Sequence, residues 1–172
     1  MTHDQDGFRS FAAEWMAALH RSALFLAGDP YLAEDLVQET LERLYLVWGR
    51  RDIEHPAAYA HTTLTRVFLS AKRRRSSTEQ PVDRIPEGSY DDSDVAARLD
   101  LQRALADLTP RDRAIVVLRH LEDRSVDEVA ATVGISPGAV RVRSSRALAR
   151  LRAVVERHPT PEATTAKGPC HD

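Results

Sequence analysis

Five arginines follow one another near the C-terminal end of the chain without an acidic residue between them: Arg141, Arg143, Arg146, Arg150 and Arg152. A guanidinium group carries a permanent charge and five N–H donors in a planar fork. That geometry suits phosphate oxygens and the O6 and N7 atoms of guanine. We therefore expect the stretch to bind a nucleic acid. Arg141 is the candidate for a contact to guanine, and the later arginines suit phosphates.

The residues around this stretch predict two short helices joined by a tight turn. Ser125 and Glu128 have the spacing of a capping box, which starts the first helix. Gly134 supplies the positive φ that ends it, and Ser136 followed by Pro137 begins the second helix. Together they predict a helix-turn-helix, whose second helix enters the DNA major groove. The other interpretation, a solvated arginine face on a bundle helix, does not explain the turn.

Composition restricts the class of protein. The formal net charge is −2 and the sequence pI is about 6.4, which is unusual for a DNA-binding protein taken as a whole. The charges are segregated, however, with basic clusters at 66–75 and 141–152 and an acidic stretch at 79–94. Cys170 is the single cysteine, so an internal disulfide is excluded. With no long apolar run or secretory signal, we expect a cytoplasmic protein without membrane insertion.

Hydrophobic periodicity predicts an all-α chain made of two small helical domains. Three amphipathic helices form the first domain over residues 8–75, and the helix-turn-helix ends the second domain over residues 95–157. Residues 76–94 are polar, acidic and interrupted by proline, which predicts a flexible linker. Residues 158–172 carry too little apolar surface to fold and are predicted to be a disordered tail.

The predicted second helix carries acidic and amide side chains on one face, mostly in its first turns. Acidic residues there also complement the helix dipole. Two interpretations therefore remain open from the residues: a solvated helix surface, or a docking face for a positively charged partner. The face comprises Glu34, Asp35, Gln38, Glu39 and Glu42.

The predicted third helix combines basic, hydroxyl and aromatic side chains. This mixture suits an unstacked strand of nucleic acid, because the cations neutralise phosphates while rings stack on bases. A basic helix C-terminus is also favoured by the helix dipole, so the residues leave both interpretations open. The side chains in question are Tyr59, His61, Thr62, Thr65, Arg66, Arg73 and Arg74.

Two parts of the chain resemble bacterial sigma factors of the extracytoplasmic-function (ECF) type. Residues 29–45, DPYLAEDLVQETLERLY, are similar to the family's region 2, and residues 105–119 and 125–151 are similar to its region 4. The resemblance covers about residues 8–157, apart from the linker. The ordered pair of segments is specific, and the N-terminal pattern is most similar to the small, arginine-rich actinobacterial members.

The resemblance implies a function in transcription initiation, without catalysis, metal or cofactor. Core RNA polymerase would bind at Asp35, Leu36, Gln38, Glu39 and Glu42, and the polar residues of the third helix would hold the melted minus-10 strand. Promoter DNA and an anti-sigma factor complete the expected partners. The duplex minus-35 element would be read by Ser136, Gly138, Ala139, Arg141, Val142, Arg143, Ser145 and Arg146.

Two positions depart from the family pattern. Arg66 stands where members commonly carry asparagine, at a position implicated in recognising the flipped minus-10 base. An arginine donates hydrogen bonds but accepts none, which predicts an altered minus-10 preference. Ala139 stands in place of a threonine in the recognition helix, which removes one hydroxyl that could contact a phosphate.

Two other classes of protein compete with this interpretation. A conventional helix-turn-helix regulator would bind a palindromic operator as a dimer, without polymerase. An α-helical metalloenzyme would need clustered carboxylates with a Glu-x-x-His motif or histidines at metal spacing, and the sequence has neither.

Overall fold

The structure is a computed structural model that describes residues 2–50, 53–77 and 93–157. In these residues it contains seven α-helices, one π-helical turn and no strand, which confirms the predicted all-α fold. Most of the predicted linker and the whole predicted tail lie outside the described residues. The helices are α1 (Thr2–Ala27), α2 (Pro30–Val47), α3 (Pro56–Ser77), α4 (Ser93–Ala106), α5 (Pro110–Val116), α6 (Val126–Val133) and α7 (Pro137–Arg157).

Helices α1 to α3 form the first block. Gly28 adopts a φ of 72° after α1, and Asp29 caps α2 by accepting a hydrogen bond from the Leu32 N–H at 2.9 Å. Helix α1 starts before the predicted Phe8 because its first turns pack on α2. The Phe8 ring lies 5.0 Å from Tyr45 and 5.4 Å from the Trp48 ring, centroid to centroid. The fully buried core of the first block includes Leu19, Leu26, Leu44, Leu64, Val67 and Phe68.

Helices α4 to α7 form the second block. Thr109 caps α5, and α5 continues into a π-helical turn over Val117–Leu121, where the Glu122 N–H donates to the Val117 carbonyl at 3.1 Å. The predicted capping box between Ser125 and Glu128 is present. Gly134 adopts the predicted left-handed conformation with a φ of 74°. A small apolar core, with Ile115, Leu118, Val129 and Val140, then holds α6 and α7 together.

The two blocks pack directly against each other. Leu105, Leu108 and Leu151 of the second block belong to the same apolar cluster as Leu26 and Phe68 of the first. The α3 side chain Leu69 is half-buried and packs on both apolar clusters of the molecule. One apolar cluster therefore spans the two blocks in the described residues, and a second, smaller cluster lies mainly within the second block. No helix in the described part of the chain is long and apolar enough to cross a membrane.

Candidate nucleic-acid interface

The N-terminal half of α7 presents an open basic face. Ser136 caps the helix by accepting a hydrogen bond from the Ala139 N–H at 3.2 Å, as predicted. Val140 is fully buried and fixes the rotation of the helix about its axis. On the opposite side, Val142 is 50% exposed. The exposed residues of the predicted minus-35 set are Ser136, Gly138, Arg141, Val142, Ser145 and Arg146, and Ala139 is half-buried.

Arg143 differs from the other arginines of this set. Its guanidinium donates to Asp112 Oδ1 of α5 at 2.7 Å, and the Asp112 side chain is largely buried. The same carboxylate accepts a hydrogen bond from the Thr109 hydroxyl at 2.9 Å through Oδ2. Arg143 therefore ties α7 to α5 and orients the helix. Its spacing on the sequence gave no sign of this, because the acid lies 31 residues away.

A shallow cavity of about 320 Å³ lies along α7 beside Arg141. Its lining adds Arg119, from the π-helical turn, to Arg141, Ser145 and Arg152 of α7. Three arginines and a serine around one concavity suit a phosphate, although the Arg119 guanidinium also donates a hydrogen bond to the Arg124 carbonyl. Sequence reasoning missed Arg119, since only the fold brings it beside α7.

His120 lies next to Arg119 in the chain. Partial burial and the Arg119 charge lower the pKa of His120, whose Nε2 lies 3.2 Å from Ser144 Oγ.

The predicted minus-10 residues on α3 fall into two groups. Tyr59, Arg66, Arg73 and Arg74 are exposed, and Thr62 is half-buried. By contrast, His61 is 8% exposed and Thr65 is fully buried. The Thr65 hydroxyl donates to the His61 carbonyl at 3.1 Å, within the helix.

The second block contacts this surface at three points. Glu122 Oε1 lies 2.7 Å from His61 Nδ1, and both side chains are at least nine-tenths buried. The Arg124 guanidinium donates to the Ala58 carbonyl of α3 at 2.9 Å. The Arg66 guanidinium reaches the Ala131 carbonyl of α6 at 3.5 Å. Sequence reasoning did not find Glu122 or Arg124, because their partners lie more than 60 residues away.

The acidic face of α2 borders a wide groove between α1 and α2. Asp35, Gln38 and Glu42 are exposed, and the Gln38 amide donates to Glu42 at 3.1 Å. Glu39 is half-exposed and pairs with Arg43 at 2.5 Å. Leu36 of the same predicted set is 2% exposed, so it supports the face from the core and does not lie on it.

The groove itself is apolar at its base and charged at its rim. It has a volume of about 690 Å³. Phe8, Met16, Val37, Leu41 and Tyr45 supply the apolar lining, while the rim contributes Arg9, His20, Glu34, Gln38 and Glu42. A groove of this kind accommodates an amphipathic helix of a partner protein. Among the described residues, no three histidine, cysteine or acidic side chains cluster as metal ligands would.

A helix-turn-helix with an exposed basic face, a second basic helix and an apolar groove are typical of an all-α DNA-binding protein that also has a protein partner. The comparisons agree with this class. Residues 11–78 match the family model for sigma-70 region 2, and residues 98–151 match that for sigma-70 region 4.

Curated relatives are similar over most of their length. The chain is 38% identical to the RNA polymerase sigma-E factor of Streptomyces avermitilis, over 87% of this chain and 85% of the relative. It is 34% identical to the ECF RNA polymerase sigma factor SigL of Mycobacterium tuberculosis, over 86% of this chain and 88% of the relative.

Solved structures show the same fold. The sigma factor RpoE of Bartonella quintana, in complex with the anti-sigma factor NepR, superimposes with a TM-score of 0.68 at 25% identity, covering 87% of this chain and 97% of that one. CnrH in complex with the cytosolic domain of CnrY gives a TM-score of 0.62 at 26% identity, covering 91% and 92%.

The chain belongs to the extracytoplasmic-function family of RNA polymerase sigma factors. It binds core RNA polymerase and promoter DNA, directs promoter-specific transcription initiation, and is not itself an enzyme. The operator-binding regulator is therefore not favoured.

Proposed function

We propose that three helices make three different contacts in transcription initiation. Helix α2 binds core RNA polymerase, α3 holds the melted minus-10 strand, and α7 reads the minus-35 duplex. The corresponding domain limits are 8–75 and 95–157, and the family-model matches at 11–78 and 98–151 support them. The observation that carries this proposal is the open, one-signed face of α7 on a fully capped helix-turn-helix.

Helix α7 is suited to duplex DNA because its first turns are exposed and rigidly held. Arg141 lies at the centre of the exposed face, where a bidentate contact to guanine would specify one base pair. Arg146 and the cavity beside Arg119 suit phosphates, which set register and affinity. Arg143 contributes through its ion pair with Asp112, which orients the helix.

The groove between α1 and α2 is suited to a helix of the polymerase core. Its apolar lining would bury the hydrophobic stripe of such a helix, and Glu34 and Glu42 would pair with basic flanks. Asp35, Gln38 and Glu42 remain exposed at or beside the rim. Helix α3 in turn offers Tyr59 for stacking and Arg66, Arg73 and Arg74 for the strand.

The place of action and an inhibitory partner belong to the same proposal. A protein that works on polymerase and chromosomal DNA acts in the cytoplasm, which agrees with the single cysteine. The two similar structures are complexes of sigma factors with protein partners, one of them named as an anti-sigma factor. We propose that this chain, too, is held by an anti-sigma factor.

Run-off transcription tests the function directly. Core polymerase is supplied with genomic DNA fragments, with and without the purified chain, and transcript start sites are mapped. We expect new start sites that share two elements and appear only when the chain is present. An electrophoretic mobility shift without polymerase is the complementary assay. Tight binding of the free chain to palindromic duplexes, without new start sites, would favour the operator-binding regulator.

A further inference from the structure

A buried polar contact between the two blocks lies on α3, at a residue of the proposed minus-10 surface. His61 and Glu122 form a pair at 2.7 Å, with side-chain exposures of 10% and 7%. The Trp15 ring of α1 meets the His61 ring edge-on at 6.3 Å between centroids. A DNA strand therefore cannot contact His61 in this arrangement, because protein surrounds the imidazole.

Two arginines of the second block extend the contact. Arg124 donates to the Ala58 carbonyl at 2.9 Å, and its side chain is 16% exposed. Arg113 is 6% exposed and donates to the Leu26 carbonyl at 2.8 Å. Leu26 lies in the last turn of α1, where carbonyls lack helical partners and carry the negative end of the dipole.

Glu122 presents a carboxylate oxygen to His61 of α3. A carboxylate offers oxygen acceptors and negative charge, as a phosphate does. It is held in place by the π-helical turn before it and by Asp123, which adopts a φ of 51° after it. The turn thus delivers one acidic side chain to the strand-binding helix.

We propose that Glu122 and Arg124 form an intramolecular latch that seats the second block on the minus-10 surface of α3 in the free protein. The latch and the single strand are mutually exclusive occupants of that surface. In the free protein the second block then occupies this surface of α3, and the latch must open before the surface can hold the melted strand. This inference rests on the proposed role of α3.

Two neighbouring acids provide a matched pair of variants. Glu122→Gln keeps the shape of the side chain and removes its charge, whereas Asp123→Asn makes the same change on an exposed side chain and tolerates the positive φ. Glu122→Ala removes the contact altogether. Arg124→Ala tests the second half of the latch independently, should either Glu122 variant fold poorly.

The first experiment measures single-strand binding by the free full-length protein. A fluorescent single-stranded DNA pool of random sequence is titrated, and anisotropy gives the affinity. We expect Glu122→Ala and Arg124→Ala to bind at least about tenfold more tightly than wild type, since losing one partner of a buried pair disfavours the closed state. Glu122→Gln should lie between them and wild type, and Asp123→Asn should equal wild type.

Small-angle scattering and circular dichroism provide the structural readout. The latch variants should show a larger radius of gyration at unchanged helix content. Unchanged single-strand affinity and radius in folded Glu122→Ala and Arg124→Ala would overturn the latch. Run-off transcription separates this from the proposed function: a wild-type chain that directs initiation while the latch variants bind DNA like wild type refutes only the latch.

Discussion

Helices α3 and α7 both carry basic surfaces with proposed DNA contacts, but the two surfaces differ in their exposure. The face of α7 is open, with Val142 half-exposed and Arg141 at the surface. The face of α3 is partly covered, because His61 is buried against Glu122 of the second block, and Thr65 is also buried. Under the proposed roles, the open face would read a rigid duplex, whereas the covered one would hold a strand that exists only after melting. The exposure of each surface would then follow the order in which its DNA form becomes available.

The largest expected effect concerns Arg113, which holds the second block against α1. Arg113→Ala leaves the carbonyls of Leu26 and Ala106 without their buried donor, so we expect the free energy of unfolding to fall by about 3 kcal/mol. Urea denaturation followed by circular dichroism measures the change. Arg111→Ala, on an exposed position of the same helix, is the control and should change little. Equal effects of both variants would mean that Arg113 does not hold the blocks together.

The next effect concerns the open face of α7. Arg141→Ala should cost about 1–3 kcal/mol of discrimination at one minus-35 base pair and leave affinity for core polymerase intact. Competition between promoter variants, with the holoenzyme, measures the discrimination. Arg150→Ala provides the contrast, because loss of a phosphate contact weakens binding uniformly across sequences. If the Arg141 variant keeps the base preference, another residue of α7 makes the base-specific contact.

A third test leaves both DNA faces untouched. Gln38→Ala combined with Glu39→Ala should weaken binding to core polymerase about tenfold, while minus-35 selection in the residual complex stays the same. Affinity is measured by fluorescence polarisation with labelled sigma factor. Glu54→Ala, an exposed acid of the same block away from α2, is the control. If the control matches the double variant, overall charge and not this face decides the affinity.

The smallest effect concerns the support of α7 by α6. Hydrogen bonds from Ser125, first from its backbone N–H and then from its hydroxyl, lower the pKa of Glu128. A depressed carboxyl pKa contributes stability that is present above the ordinary carboxyl range and is lost as the pH falls through the lowered pKa. Glu128→Ala should therefore lower the melting temperature slightly at about pH 7, and the difference should shrink below about pH 4.

The wild type and the Glu128 variant are compared by thermal denaturation at both pH values. A difference that persists unchanged at the acidic pH would mean that the carboxylate is not the stabilising form. Since Glu128 is exposed, solvent screening keeps the effect small.

Local features were predictable from sequence because their partners lie within a few residues. The caps by Ser125, Ser136 and Thr109 and the positive φ of Gly134 each depend on contacts three to five positions away. Helical periodicity likewise predicted the three helices of the first domain and the second helix of the helix-turn-helix.

Long-range contacts were not predictable from the sequence, because their partners lie far away along the chain. Arg113 is an exposed cation by residue type, yet it is buried, because the docked first block adds the Leu26 carbonyl to the acceptors of Ala106 and Leu108 in its own block. Likewise, the burial of Leu36 required the rotation of α2 about its axis to be known, which periodicity gives only approximately. The pairing of Glu122 with His61 depends on how the two blocks meet.

The π-helical turn at Val117–Leu121 sets how far the residues after it are rotated about the helix axis. An α-helix advances about 100° per residue, so one residue more or fewer in this turn would swing Glu122 around the axis and away from His61. The same rotation would change the orientation of α7 relative to the first block. A single-residue insertion or deletion there is thus a route by which relatives of this chain could exchange a closed resting form for an open one.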